Sequence, residues 1–199
     1  MSLAQVRIIQ AVADLAIPLL GYFFWNWDFY FILLFYLLDY KIFCAFSFVK
    51  FHKVIQYKGL ENKFPVVNLL LTIALILIGF VAVIPALYQI DPAFDLLKNT
   101  WAFLSYKEMG IAQGIILIPL LIYAGFSQYK MQFLLTGKFQ TTKPSEIWKL
   151  HFKTMFLVIA ASGLFLGLSL LAEIPVIYYV FALIFGVSLY RFFIARETF

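Results

Sequence analysis

Apolar residues in this chain come in long, nearly unbroken runs. They show neither the strict alternation of a half-buried strand nor the single stripe of a soluble amphipathic helix. A helix that crosses the hydrocarbon of a bilayer needs about 20 mostly apolar residues, each rising about 1.5 Å. Six runs meet or approach that length: about Arg7 to Phe24, Phe29 to Val49, Pro65 to Leu87, Gly110 to Phe126, Leu150 to Leu171, and Pro175 to Tyr190. The first two are joined by the tight turn "WNWD", and the last follows directly on "AEIP". The pattern predicts an all-α fold, a polytopic transmembrane helix bundle with six spans forming a single transmembrane domain over residues 1–199.

The charges between the runs give the orientation, because basic residues resist translocation and collect on the cytoplasmic side. One set of connections carries Arg7, Lys50, Lys53, Lys58, Lys63, Lys130, Lys138, Lys143, Lys149, Lys153, Arg191 and Arg196. The other carries Lys98 and Lys107 beside Asp28, Asp91, Asp95, Glu108 and Glu173. Both termini are therefore expected in the cytoplasm. The long outer connection "DPAFDLLKNTWAFLSYKE" opens with Asp91 before Pro92, a start signal in which the acid caps and the proline fills the first turn. Phe94, Leu97, Trp101 and Leu104 then recur at helical spacing opposite Asp95, Lys98 and Asn99. An interfacial helix on the outer face fits this pattern, and so does a loop packed over the bundle. On the inner side, "KFHKVIQYKGLENKF" is basic and aromatic and is expected to lie against anionic headgroups.

Composition agrees with a bilayer as the solvent. Of 199 residues, 64% are hydrophobic and 13% charged, and 24 are Phe, whereas soluble domains run at roughly 45–50% apolar and about 25% charged. The net charge of +5 does not indicate nucleic acid, because the basic residues cluster beside apolar spans and form no face interleaved with polar readers. Asp14 interrupts the first run and no small-residue cleavage site follows it, so that run reads as a retained helix and not a signal peptide.

Ionisable groups inside the runs are the candidate chemistry. Counted from Asn26 at the tip of the first turn, Asp14 and Asp39 both lie about 18–20 Å in. An unpaired Asp or Lys at the bilayer centre costs about 2.5–3.5 kcal/mol on insertion scales, so Asp14, Asp39 and Lys41 must be paired, protonated or hydrated. Asp39 and Lys41 are two positions apart on a helix and so cannot face the same neighbour. Gln10, Asp14, Pro18 and Gly21 share one face of the first helix, and Tyr36 is a nearby partner for Asp39. By the same depth counting, Asn68, Thr72, Ser127, Gln128, His151, Thr154 and Ser188 fall in the cytoplasmic half. Together these residues predict a cytoplasm-facing polar pocket around Gln10, Asp14, Tyr36, Asp39 and Lys41, with Asn68, Thr72, Gln128 and His151 at its rim. Ion pairing that merely fixes helix register explains the same charges.

Other chemistries find little support. His52 and His151 have lysines close by and no carboxylate or thiol at ligand spacing, so no metal site and no cofactor is expected. Cys44 is the only cysteine, which excludes a disulfide within one chain. No nucleophile elbow, HExxH helix or phosphate-gripping glycine loop occurs, so no catalytic residue is assigned. Gly110 with Gly114 and Gly163 with Gly167 have the spacing that lets helices approach closely, which predicts packing within the chain ahead of a dimer interface.

The stretch "WNWDFYFILLFYLLDYKIF", with Trp27, Tyr36 and Asp39, resembles the second helix of an uncharacterised family of small bacterial and archaeal multi-pass membrane proteins. "KPSEIWKLHFKTMF", with Pro144, Leu150 and His151, is similar to a later Pro and Leu-His stretch of that family. The resemblance implies a multi-pass helical fold and brings no activity with it. The expected function is movement or sensing of a small solute or ion in a prokaryotic cytoplasmic (inner) membrane. The alternative is a noncatalytic membrane subunit, assembled with itself or with a membrane partner protein, whose polar residues hold helices together.

Overall fold

The structure, a computed structural model, describes residues 3–60, 65–105 and 113–197, with side chains at 12–13, 15–60, 66–105 and 115–190. It is all-helical, and no strand occurs among the described residues. The helices are α1 (Leu3–Phe24), α2 (Phe29–Tyr57), α3 (Pro65–Ile90), α4 (Leu96–Ser105), α5 (Gln113–Gln128), a π-helical turn (Tyr129–Leu134), α6 (Lys138–Thr141), α7 (Pro144–Leu171) and α8 (Val176–Glu197). Three stretches are long and apolar enough to cross a membrane: Phe29–Tyr57, Val66–Ile90 and Pro144–Leu171. Leu15–Phe24 and Val176–Tyr190 are apolar but shorter.

Helix ends are set by local hydrogen bonding and outrun the apolar runs. After α1, Trp25 and Trp27 both donate their N–H to Gly21 O, at 3.1 and 2.9 Å. Asn26 takes a left-handed φ of 48°, which asparagine tolerates better than most side chains. Asp28 then caps α2, its carboxylate accepting from Phe31 N–H at 2.8 Å. The Trp27 ring lies directly on Gly21, where any side chain would collide with it. At the start of α7, Pro144 fills the first turn, and the Lys143 N–H donates to the Glu146 carboxylate at 3.1 Å. That start lies ahead of the apolar run at Leu150, just as α2 continues past Val49 to Tyr57.

The expected helix start at Asp91 and Pro92 is not where α4 begins. Asp91 N–H closes the last turn of α3 on Leu87 O at 2.8 Å, and its carboxylate accepts from Ala93 N–H at 3.1 Å. Asp95 is the residue that caps α4, accepting from Lys98 N–H at 3.0 Å. The apolar positions read from the spacing do not share one environment. Phe94 and Phe103 are buried, whereas Leu97 and Trp101 are 82% and 70% exposed.

Helix α2 is the hub of the bundle and packs against α1, α3, α5, α7, α8 and, at its far end, α6. Every residue from Phe29 to Leu37 is buried, so about the first two and a half turns of α2 are covered on all sides. Rings do most of the covering: Phe31 meets Phe103 with centroids 5.4 Å apart, Tyr30 meets Phe94 at 4.9 Å, Phe29 meets Tyr179 at 6.4 Å, and Trp27 meets Phe35 at 6.1 Å. Outward faces of α3 and α7 expose Val66, Leu70, Val81, Phe156, Leu164 and Leu171. Water tolerates such a surface poorly and lipid accepts it.

Close approach on α3 depends on Gly79, where an added Cβ would sit 2.9 Å from a Tyr40 ring carbon. The expectation for the other small-residue pair is corrected here. Among the described residues nothing lies within 4 Å of a Cβ built on Gly163 or Gly167, so these glycines serve no close packing there. Gly110 and Gly114 lie outside the described side chains.

Candidate functional site

Connectivity puts Asp28, Asp91 and Asp95 at one end of the bundle, called the first end, and Lys50, Lys53, Lys138 and Lys143 at the other, the second end. Packing differs between them. The first end is filled by the aromatic layer around Phe31, Phe35 and Phe103, while the buried polar residues Ser47, Thr72, Gln132 and His151 lie on the second-end halves of their helices or in the π turn. Ser162, on the first-end half of α7, is the exception among the described residues, and its hydroxyl donates to Val158 O at 2.7 Å on its own helix.

Of the expected pocket residues, Gln10 and Asp14 have side chains outside those described. Tyr36 is buried, its ring against Phe35 at 5.4 Å. Asp39 is half-buried. Lys41 turns to α3 and lays its ammonium 4.7 Å from the centroid of Phe80, a cation–π contact. Its neighbour Asp39, about 200° away around α2, must point elsewhere. Thr72 is buried, but its hydroxyl donates to Asn68 O at 2.9 Å on its own helix, and Ser47 does the same to Phe43 O at 2.8 Å. Donors used on the helix that carries them are not available to a ligand. Asn68 and Gln128 are half-buried.

His151 is the rim residue that the structure places most deeply. It is 1% exposed, set between the rings of Phe43 at 6.3 Å and Trp148 at 5.7 Å, and its Nε2 has no hydrogen-bond partner among the described residues. One turn further along α7, Thr154 Oγ1 meets the Tyr190 hydroxyl of α8 at 2.9 Å.

Tyr40 and Cys44 were not among the residues expected from the sequence. They stand one turn apart on α2, with the thiol beside the phenol and Tyr190 close enough to act on that phenol electrostatically. A thiol is a weak hydrogen-bonding group, and the Tyr40 hydroxyl, with its ring pressed on Gly79, has no stronger partner than this thiol among the described residues. Ser188 Oγ on α8 is also buried, and is unpartnered among the described residues. A hydroxyl or imidazole held this way costs about 1–3 kcal/mol unless something bonds to it. The second-end half thus presents Tyr40, His151 and Ser188 from three helices, a set able to bond a small polar solute or a short file of water, beside the Thr154 and Tyr190 hydroxyls that are already bonded to each other. No group of three or more His, Cys, Asp or Glu residues suited to a metal ion occurs among the described residues.

The class this fold defines is an all-helical protein with three helices able, by length and composition, to cross a membrane. No protein-family model, curated protein or solved structure matches the chain.

Proposed function

We propose that the chain is a six-span protein of a prokaryotic cytoplasmic membrane, with both termini inside, that moves or senses a small solute or ion through the polar half of its interior. The six spans combine the three long helices with α1, α5 and α8, whose apolar runs are shorter. In this reading the second end, rich in lysine, is cytoplasmic, and α4 lies at the outer interface with Leu97 and Trp101 toward lipid headgroups. The family resemblance of the "WNWD" helix and the Leu-His stretch is part of the same proposal.

The observation that carries it is the unequal filling of the interior. Phe29 to Leu37 are sealed on every side, with the Tyr179 hydroxyl buried beside Phe29 and unbonded among the described residues. Toward the second end the His151 imidazole and the Ser188 hydroxyl have no partner among the described residues, and the Tyr40 hydroxyl has only the weak Cys44 thiol beside it. A space closed at one end and polar at the other suits a binding site that opens on one side at a time. Asp39, just past the seal on α2, is the group that would change protonation as access changes.

Reconstituted in vesicles, the protein is expected to dissipate an imposed proton or ion gradient faster than protein-free vesicles, and Asp39→Asn is expected to return the rate to the protein-free level while inserting normally. Equal rates for wild type and Asp39→Asn contradict the role given to Asp39.

A second reading has its own support. Gly163 and Gly167 leave an open strip on α7, and a noncatalytic subunit would use such a strip against a second copy or a membrane partner. In that case Gly163→Leu changes the oligomeric state and Asp39→Asn affects abundance, not flux.

A further inference from the structure

Near the second end of α2, three cations gather on an aromatic floor. The Lys50 ammonium lies 5.9 Å from the centroid of Phe133, and that of Lys53 lies 5.6 Å from the centroid of Phe139. Lys138, the first residue of α6, stands close enough to Lys50 to repel it. The chain adopts its least common conformations to build this floor. In the π turn, Leu135 N–H reaches back to Lys130 O at 2.9 Å, and the widened turn carries Phe133 and Gln132 inward, where both are buried. Gly137, at a left-handed φ of 68°, then folds α6 back against α2. Phe139 packs edge-on against Tyr57 at 5.0 Å and reaches Phe133 at 6.4 Å.

The depth of the cluster bears on its ligand. Counted from Phe29 at about 1.5 Å per residue, Lys50 and Lys53 fall about 32–36 Å along α2, past a hydrocarbon core about 30 Å thick and at headgroup level. Lysines converging there are complementary to a phosphate that carries a net negative charge. A zwitterionic headgroup brings its own cation into the same space and is opposed by the lysines.

We propose that Lys50, Lys53 and Lys138, laid over Phe133 and Phe139, form a binding site for the phosphate of an anionic phospholipid in the leaflet at the second end. The site rests on the helices crossing a membrane and does not depend on any flux through the interior.

The test is native mass spectrometry of the full chain, purified in a neutral detergent and offered equal amounts of phosphatidylglycerol and phosphatidylcholine. Phosphatidylglycerol should be retained at least about tenfold more. The triple change Lys50→Gln, Lys53→Gln and Lys138→Gln should abolish the preference, arginine at the same three positions should keep it, and Lys98→Gln at the first end should leave it intact. Equal retention of the two lipids by the wild type overturns the proposal, and so does a preference that survives the triple glutamine change. Full displacement of the lipid by millimolar inorganic phosphate would show a free-anion site and overturn the lipid assignment. Should the triple variant not fold, the wild-type preference and its reduction in Lys53→Gln alone decide. Failure of the wild type to insert into phosphatidylcholine vesicles would refute the membrane reading separately, and Asp39→Asn is expected to keep its lipid whatever its flux.

Discussion

The Tyr190 hydroxyl of α8 donates its proton to Thr154 Oγ1 of α7 at 2.9 Å, a direction fixed by Thr154, whose own proton goes to Leu150 O at 2.9 Å. The same logic holds at the first end, where Tyr30 donates to Thr100, whose hydroxyl proton goes to Leu96 O. Each tyrosine thereby ties its helix to another through a threonine already satisfied as a donor. In a membrane interior such a bond between helices contributes about 0.6 kcal/mol on average.

Tyr190→Phe and Thr154→Val are therefore expected to lower stability modestly and not additively. A double-mutant cycle read by thermal unfolding in detergent should give a coupling of about 0.5–1 kcal/mol. A coupling of zero would mean that the two hydroxyls do not bond in the folded protein.

Gly79 and Gly163 should respond in opposite ways to one substitution. Valine at 79 forces its Cβ to within 2.9 Å of the Tyr40 ring, whereas valine at 163 meets open space. Gly79→Val should cost about 1–3 kcal/mol and Gly163→Val less than about 0.5 kcal/mol in a monomer. Equal losses in thermal unfolding would refute the α2–α3 contact described for Tyr40.

Asp28 predicts a pH dependence at the first end. Desolvation at the packed end of α2 raises its carboxyl above the ordinary aspartate value, the Phe31 N–H bond opposes this, and the charge of Asp91 adds to the rise. Between pH 3.8 and that raised value the folded state therefore holds a proton that the unfolded chain has already released. The contribution to stability is complete below the unfolded value near 3.8 and is lost as pH climbs through the raised folded value. Asparagine keeps the cap and removes the charge, so the wild type should gain stability relative to Asp28→Asn as pH is lowered from neutral. Asp28→Ala loses the cap and should cost about 1 kcal/mol. A constant difference between wild type and Asp28→Asn from pH 7 to pH 4 would contradict the shift.

Much of the helical architecture was legible because every long apolar run became a helix. Helix ends were less so, since hydropathy marks where hydrocarbon would stop and caps mark where the helix does. Thus Asp91, beside Pro92, looked like the start of α4, yet its N–H belonged to α3 and Asp95 took the role. The candidate site was legible only where it carried charge. Lys41 stood out in the sequence, but nothing there indicated that Phe80 would receive it. Tyr40 and Cys44 were hidden among apolar neighbours, and only the packing of α3 and α8 against α2 distinguishes them. Thr72 counted as polar by its letter, although its hydroxyl is satisfied one turn back on its own helix.

Access to the interior at Asp39 tests the central claim most directly. Cys44 is the only native cysteine, so Asp39→Cys in a Cys44→Ala background offers a single thiol just below the aromatic seal. In oriented membrane vesicles, a membrane-impermeant thiol reagent should label that position from the cytoplasmic face and leave it unlabelled from the outer face. Labelling from the outer face, or only by a lipid-soluble reagent, would contradict an interior that opens toward the lysine-rich end.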